Sequence, residues 1–247
     1  MLLPVLISLL SAAASLPTDT TTNVRDLPII ELRAAHPQSN TVAIILSGDG
    51  GWADIDEQVG KRLQARGVDV VGLDMRSYLR GGHRSPASIG ADISRIARRY
   101  TALWQRKDVA LVGYSRGSDL APFAATHMAP DEKQRLTVIV MLTLLERASF
   151  VYHFSDLWRT TSGKDDTPVL PELEQLRSVP LVCIYGRKEK ESLCRTAPSG
   201  LMTTIMREGE HHFDGDYNAL GDIVFQAIMR TESGAPLGKL GQPETVH

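Results

Sequence analysis

An excess of charge of one sign is missing from this 247-residue sequence, in which 27 Lys and Arg stand against 29 Asp and Glu for a net charge of −2. No global field favours nucleic acid or an anionic surface, so neither is an expected partner through charge alone. Cysteine is scarce: Cys183 and Cys194 are the only two. No cluster of Cys or His has metal-ligand spacing, and neither a metal nor a cofactor is expected. A long apolar run is missing too, since the N-terminal stretch from Leu2 to Leu10 is too short to span a bilayer. With no internal repeat and no interdomain linker, a chain that is 43% hydrophobic and 23% charged reads as one enzyme-sized domain.

What is there begins with a leader-like segment. "MLLPVLISLLSAAASLP" joins an apolar stretch to small residues, with Ala12 and Ala14 in an A-x-A arrangement. That predicts a signal peptide over residues 1–14, cleaved after Ala14, with retention as an N-terminal anchor as the other reading. Residues 15–28 are polar and turn-rich and are expected to be flexible. Residues 231–247 lack apolar periodicity and are expected to form a disordered tail, leaving a folded domain over 29–230. For an exported chain, an even number of cysteines predicts a disulfide between Cys183 and Cys194 that restrains the loop between them; two unpaired buried thiols are the alternative.

Inside the domain, short apolar runs alternate with segments of helical period. "VAIIL" (42–46), "VDVVGLD" (68–74), "VALVG", "LTVIVMLTL", "PLVCIYG" and "LMTTIM" read as strands. Helices are expected over 54–66, from an N-cap at Ser85 followed by Pro86, over about 118–127, and over about 218–230. A loop-rich stretch runs from Glu146 to Arg177 and includes "RTTSGKDDTP" as an exposed loop. Nearly continuous apolar strands indicate a mostly parallel central sheet with helices on both faces, a three-layer α/β sandwich.

The chemistry starts from "DVALVGYSRGSDL". Gly-x-Ser-x-Gly alone arises by accident in about one chain in ten of this length. Its context is more informative: Ser115 follows a buried strand and opens a helix, the setting of a nucleophile elbow. A serine hydroxyl needs a base, and the base an orienting acid. Both follow in the order used by α/β-hydrolases, with Glu189 and Glu191 just past a strand in "CIYGRKEKES" and His211 before the last helix in "GEHHFDGDY". Glu189, three residues after Gly186, ranks above Glu191. Asp214 and Asp216 are the next candidates, and a solvated charged loop is the bland reading of "RKEKE". His211 ranks above His212, which can pack or bond structurally. "SGDGGW" lies where one oxyanion donor belongs, so the amide of Asp49 or Gly50 is paired with that of Arg116 as the oxyanion hole.

Together "LSGDGGW", "GYSRGSD", "CIYGRKEKESLC" and "GEHHFDGDY" resemble the VirJ/AcvB family of bacterial virulence proteins, exported α/β-hydrolases, over about Thr41 to Arg230. The resemblance implies an α/β-hydrolase fold, a periplasmic location, a role alongside type IV secretion components and, for AcvB-like members, hydrolysis of the aminoacyl ester of lysyl-phosphatidylglycerol. The family's serine, acid and histidine fall on Ser115, on Glu189 or Glu191, and on His211; many members have Asp where this chain has Glu191. For such a substrate Asp54, Asp56 and Glu57, with Asp49, offer a negative field to lysyl ammonium groups, although acids in a first helical turn also complement the helix dipole. Contact with the membrane surface would be transient. A non-catalytic binding module of a secretion apparatus and a general carboxylesterase or thioesterase are the alternative functions.

Overall fold

The computed structural model describes residues 22–82, 84–151, 166–238 and 240–241. The expected signal peptide, the end of the expected tail at 242–247 and most of the "RTTSGKDDTP" loop lie outside the described residues.

In chain order the elements are β1 (Ile29–Leu32), β2 (Thr41–Leu46), α1 (Asp54–Ala65), β3 (Asp69–Leu73), α2 (Met75–Arg80), α3 (Pro86–Trp104), β4 (Asp108–Tyr114) and α4 (Arg116–Thr126). They continue with α5 (Pro130–Lys133), β5 (Leu136–Leu142), β6 (Arg147–Ala148), β7 (Thr167–Pro168), α6 (Leu170–Gln175), β8 (Leu181–Gly186), α7 (Leu193–Thr196), β9 (Thr203–Arg207) and α8 (Tyr217–Glu232). Seven of the described strands form one sheet in the order β1-β3-β2-β4-β5-β8-β9. All neighbours are parallel except β1, which runs antiparallel to β3.

The strands are apolar throughout because both faces are covered. Alternate residues face opposite sides, so Val42, Ile44 and Leu46 join the core under α3 and α4, while Ala43 and Ile45 join the core under α1 and α8. Helix α3 is entered through a reciprocal capping box between Ser85 and Ser88 with Pro86 in the first turn. Such caps stabilise by about 1 kcal/mol. Its stripe of Ile89, Ile93, Ile96 and Tyr100 is buried on the sheet.

The flanks differ from expectation. Residues 22–28 are held against α3, because Arg95 donates to the Asn23 carbonyl and pairs with Asp26, and Leu27 is buried. At the other end α8 continues to Glu232, Leu240 is buried in the α1/α8 core, and the Gly241 amide donates to Gln226 Oε1. A few buried contacts offset the polar composition that suggested loose ends. Likewise, the stretch 146–177 contains the β6–β7 pair and α6.

Strand order reverses between β2 and β4, since β3 lies on one side of β2 and β4 on the other. In open α/β sheets the crevice beyond the carboxyl ends at such a point is where ligands bind. Here the segments leaving those two ends are "SGDGG" and Ser115.

Candidate active site

Ser115 sits between β4 and α4 with φ 52° and ψ −119°, a backbone conformation that only a tightly constrained turn imposes on a non-glycine residue. Its amide donates to the Leu142 carbonyl, and its own carbonyl accepts from Asp119. The turn can be this sharp because residue 117 is glycine: a Cβ there would lie 2.1 Å from the Leu46 carbonyl oxygen. The hydroxyl is thereby held partly exposed at the start of a helix.

His211 lies between β9 and α8 and reaches Ser115 from the opposite side of the crevice. Its Nε2 is 2.8 Å from Ser115 Oγ, and its Nδ1 is 3.0 Å from Glu189 Oε1. The position of Glu189 has a local cause. Its amide donates to the Gly186 carbonyl at 3.0 Å, and its Oε2 accepts from the Gly186 amide at 2.8 Å, so the three-residue offset is one closed turn. Residue 186 must be glycine, because a Cβ there would be 2.4 Å from the Glu210 carbonyl in the histidine loop. Glu191 is exposed and lines a smaller cavity of about 340 Å³ beside Lys188 and Ser192. The turn carrying both glutamates is closed off by the disulfide between Cys183, in β8, and Cys194, in α7.

His212 points elsewhere. Its Nδ1 is 3.0 Å from the Tyr114 hydroxyl, and burial, reinforced by the neighbouring His211, pushes its pKa down. Asp214 and Asp216 are not bonded to His211; Asp216 caps α8 and pairs with Arg207.

The crevice opens as a cavity of about 790 Å³ lined by the Gly48–Gly51 loop, Asp54, Asp56, Tyr114, Ser115, Lys188 and the histidine loop. A Cβ on Gly48 would lie 3.3 Å from Ser115 Cβ, so the glycine loop is packed against the serine turn. Asp49, Gly50 and the start of α4 at Arg116 therefore flank Ser115. A side-chain contact not anticipated from the sequence joins them, with Arg116 Nε 3.1 Å from Asp49 Oδ1.

The acidic residues of α1 divide. Asp54 is exposed and Asp56 buried, and both line the cavity. Burial pushes the Asp56 carboxyl well above the usual range, the amides of Ala53 and Gly48 oppose this, and its Oδ1 has no hydrogen-bond partner. Glu57 does not line the cavity as expected; it pairs with Lys61 at 2.6 Å. One residue further along a helix turns the side chain by 100°, and the i,i+4 lysine then holds it on the outer face. Among the described residues no group of His, Cys, Asp and Glu is arranged to hold a metal ion, and no helix is long and apolar enough to cross a membrane.

An imidazole bonded on one side to a hydroxyl and on the other to a carboxylate can accept the hydroxyl proton and remain oriented while charged. Comparison with known proteins agrees with the topology. A family model described as bacterial virulence protein (VirJ) matches residues 40–232. The chain belongs to the VirJ family. No curated protein matches it in sequence. Among solved structures, Est1E from Butyrivibrio proteoclasticus is similar with a TM-score of 0.60 at 13% identity, covering 83% of this chain and 93% of that one. MenH from S. aureus gives 0.62 at 12% identity, over 83% and 98% of the two chains. XC6422 from Xanthomonas campestris, described as an α/β serine hydrolase without lid, gives 0.54 at 14% identity, over 82% and 87%. At these identities the likeness establishes that this VirJ-family chain has the α/β-hydrolase fold.

Proposed function

We propose that the protein is an exported serine ester hydrolase. Ser115 Oγ attacks the ester carbonyl as His211 Nε2 takes its proton. The carbonyl oxygen becomes an oxyanion held by the amide of Asp49 or Gly50 and that of Arg116, and Glu189 steadies the imidazolium. Collapse of the tetrahedral adduct breaks the ester C–O bond, and the alcohol leaves with the proton from His211. Water then enters by the same route and releases the acid and the free serine. The observation carrying this reading is the imidazole of His211, hydrogen-bonded to Ser115 Oγ at 2.8 Å and to Glu189 Oε1 at 3.0 Å.

For the substrate we propose the aminoacyl ester of lysyl-phosphatidylglycerol, hydrolysed during transient contact with the periplasmic membrane surface and linked to virulence and type IV secretion. Membership of the VirJ family supports the link to virulence. Asp54, Glu210 and Asp214 line the cavity against Lys188, a balance suited to a lysyl group. The Cys183–Cys194 disulfide supports residence in an oxidising compartment.

A fluorophosphonate probe tests the chemistry: it should label the wild type and not Ser115→Ala. Absence of labelling in a folded wild type would overturn the hydrolase reading in favour of a binding module, and ester hydrolysis by Ser115→Ala within tenfold of wild type would overturn Ser115 as the nucleophile. Lipid extracts of cells with and without the gene test the substrate, since lysyl-phosphatidylglycerol should accumulate without it. Unchanged lipid with intact probe labelling would point to a different ester.

A further inference from the structure

We propose that the ion pair between Arg116 and Asp49 is a positioning clamp that holds the two halves of the oxyanion site in register; this rests on the ester-hydrolase reading above. The loop from Gly48 to Gly51 is three glycines and one aspartate. Glycine backbones lose the most conformational freedom on being fixed, and they offer no side chain by which to fix them. Gly48 packs on the Tyr114 ring, and a Cβ at Gly50 would meet nothing within 4 Å. Asp49 therefore supplies the loop's sole side-chain handle. Arg116 grips it with Nε 3.1 Å from Oδ1, and its Nη1 is 3.4 Å from the Ser149 carbonyl. Both side chains are largely buried, 6% and 12% exposed for Arg116 and Asp49.

The arrangement is economical in its connectivity. Arg116 follows Ser115 directly, so the residue whose amide is one oxyanion donor carries the side chain that anchors the loop bearing the other. Any shift of the loop relative to the serine must break a buried charge-assisted hydrogen bond. An oxyanion donor contributes only when it already points to where the charge develops, and a displacement of about 1 Å from productive geometry costs on the order of 100-fold. The clamp acts through the amides and touches no reacting atom itself.

The test uses Asp49→Asn and Arg116→Lys in the full chain, because both keep every backbone N–H. On an activated ester, Asp49→Asn should lower kcat about 100-fold with KM within threefold of wild type. Arg116→Lys, which retains a cation but not the fork, should lose about tenfold. The affinity of a boronic acid, whose tetrahedral serine adduct carries a negative oxygen, should weaken in the same proportion as kcat. A merely structural pair would lower the melting temperature and leave kcat of the folded protein and the boronate affinity alone. A cooperatively melting Asp49→Asn with kcat within threefold of wild type overturns the clamp. If Asp49→Asn does not fold, Arg116→Lys decides, and kcat within twofold of wild type overturns it. Ser115→Ala in the same assay separates the two readings: activity there overturns the Ser115 mechanism and the clamp together, whereas an inert Ser115→Ala beside a fully active Asp49→Asn overturns the clamp alone.

Discussion

The two ends of the central sheet differ in whether their buried carboxylates are paired with arginine. At the amino ends of the strands, Asp69 Oδ2 lies 2.8 Å from Arg106 Nε and its Oδ1 accepts from the Ala34 amide at 2.9 Å. Glu132 is paired there with Arg98 at 3.1 Å and with Arg135 at 3.3 Å, although its Oε2 has no hydrogen bond, and half-buried Glu232 accepts from the Ser39 and Thr41 hydroxyls. At the carboxyl ends, Asp56 keeps an oxygen without a hydrogen-bond partner, and Asp119 accepts from the Leu145 amide. Burial pushes the pKa of both upward. Positive φ is imposed there on Ser115 and on β-branched Thr143, at 52° and 62°. The amino end is not free of such features, since Gln105 is left-handed as the C-cap of α3 and burial raises Asp108; what sets the carboxyl end apart is that they gather around Ser115, as expected where chemistry is done.

The sharpest way to break this contrast is to remove one acid from each end. Glu189→Gln keeps an acceptor for the Gly186 amide but cannot stabilise an imidazolium, so kcat should fall by up to about 10⁴-fold with little change in KM. Glu191→Gln should stay near wild type, because Glu191 is exposed and not bonded to His211. Steady-state kinetics of the two variants decide the matter; a crippled Glu191→Gln would reverse the assignment. At the opposite end, Asp69→Asn leaves the Arg106 guanidinium facing an amide and should cost about 3–5 kcal/mol in denaturant unfolding. Its kcat, measured where it is still folded, should remain within twofold of wild type. A loss of turnover in folded Asp69→Asn would mean that the two ends are not independent.

Much of the carboxyl-end chemistry is legible in the sequence because it depends on local constraints. A buried run ending in Gly-Tyr-Ser-Arg-Gly has few ways to turn into a helix, and the Gly186–Glu189 offset corresponds to a single hydrogen-bonded turn. What escapes a linear reading is set by partners far along the chain. The antiparallel edge strand β1 is only four residues, none of them buried, and exists through pairing with β3. Arg116 reads as a backbone donor, and its side-chain partner is 67 positions away. Asp56 and Glu57 look alike in sequence, yet one is buried and the other pairs with Lys61, because helix rotation against the sheet decides. The anchored flanks depend on Arg95 and on the burial of Leu27 and Leu240, contacts that composition does not reveal.

The disulfide sharpens the comparison from the site side. Replacing both Cys183 and Cys194 by serine opens a short loop and should lower stability by about 2–3 kcal/mol, read as a shift in the unfolding midpoint. Turnover should fall less than tenfold, because the Glu189 turn is closed by its own two bonds to Gly186. A loss approaching that of Glu189→Gln would show that the turn depends on the cross-link.

The effect that is smallest per pH unit concerns Asp119, one helical turn beyond Ser115. Burial pushes its carboxyl from 3.8 up to about 8, opposed by the Leu145 amide and by the charge of Arg116, while Asp49 and Asp166 add to the rise. The folded state therefore binds a proton that the unfolded state releases near pH 3.8, and the stability linked to that proton is complete below this point. It declines as pH rises towards 8, where the folded group also ionises. The slope is at most about 1.4 kcal/mol per pH unit. Asp119→Asn keeps a carbonyl acceptor for the Leu145 amide and does not titrate. The difference in unfolding free energy between wild type and variant should thus move against the wild type from about pH 4 to pH 8 and become flat above. Subtracting the two curves cancels the other titrating groups. Parallel curves across that interval would mean that Asp119 is already ionised in the fold, and the carboxyl end would then hold its buried acid as the amino end does, by charge.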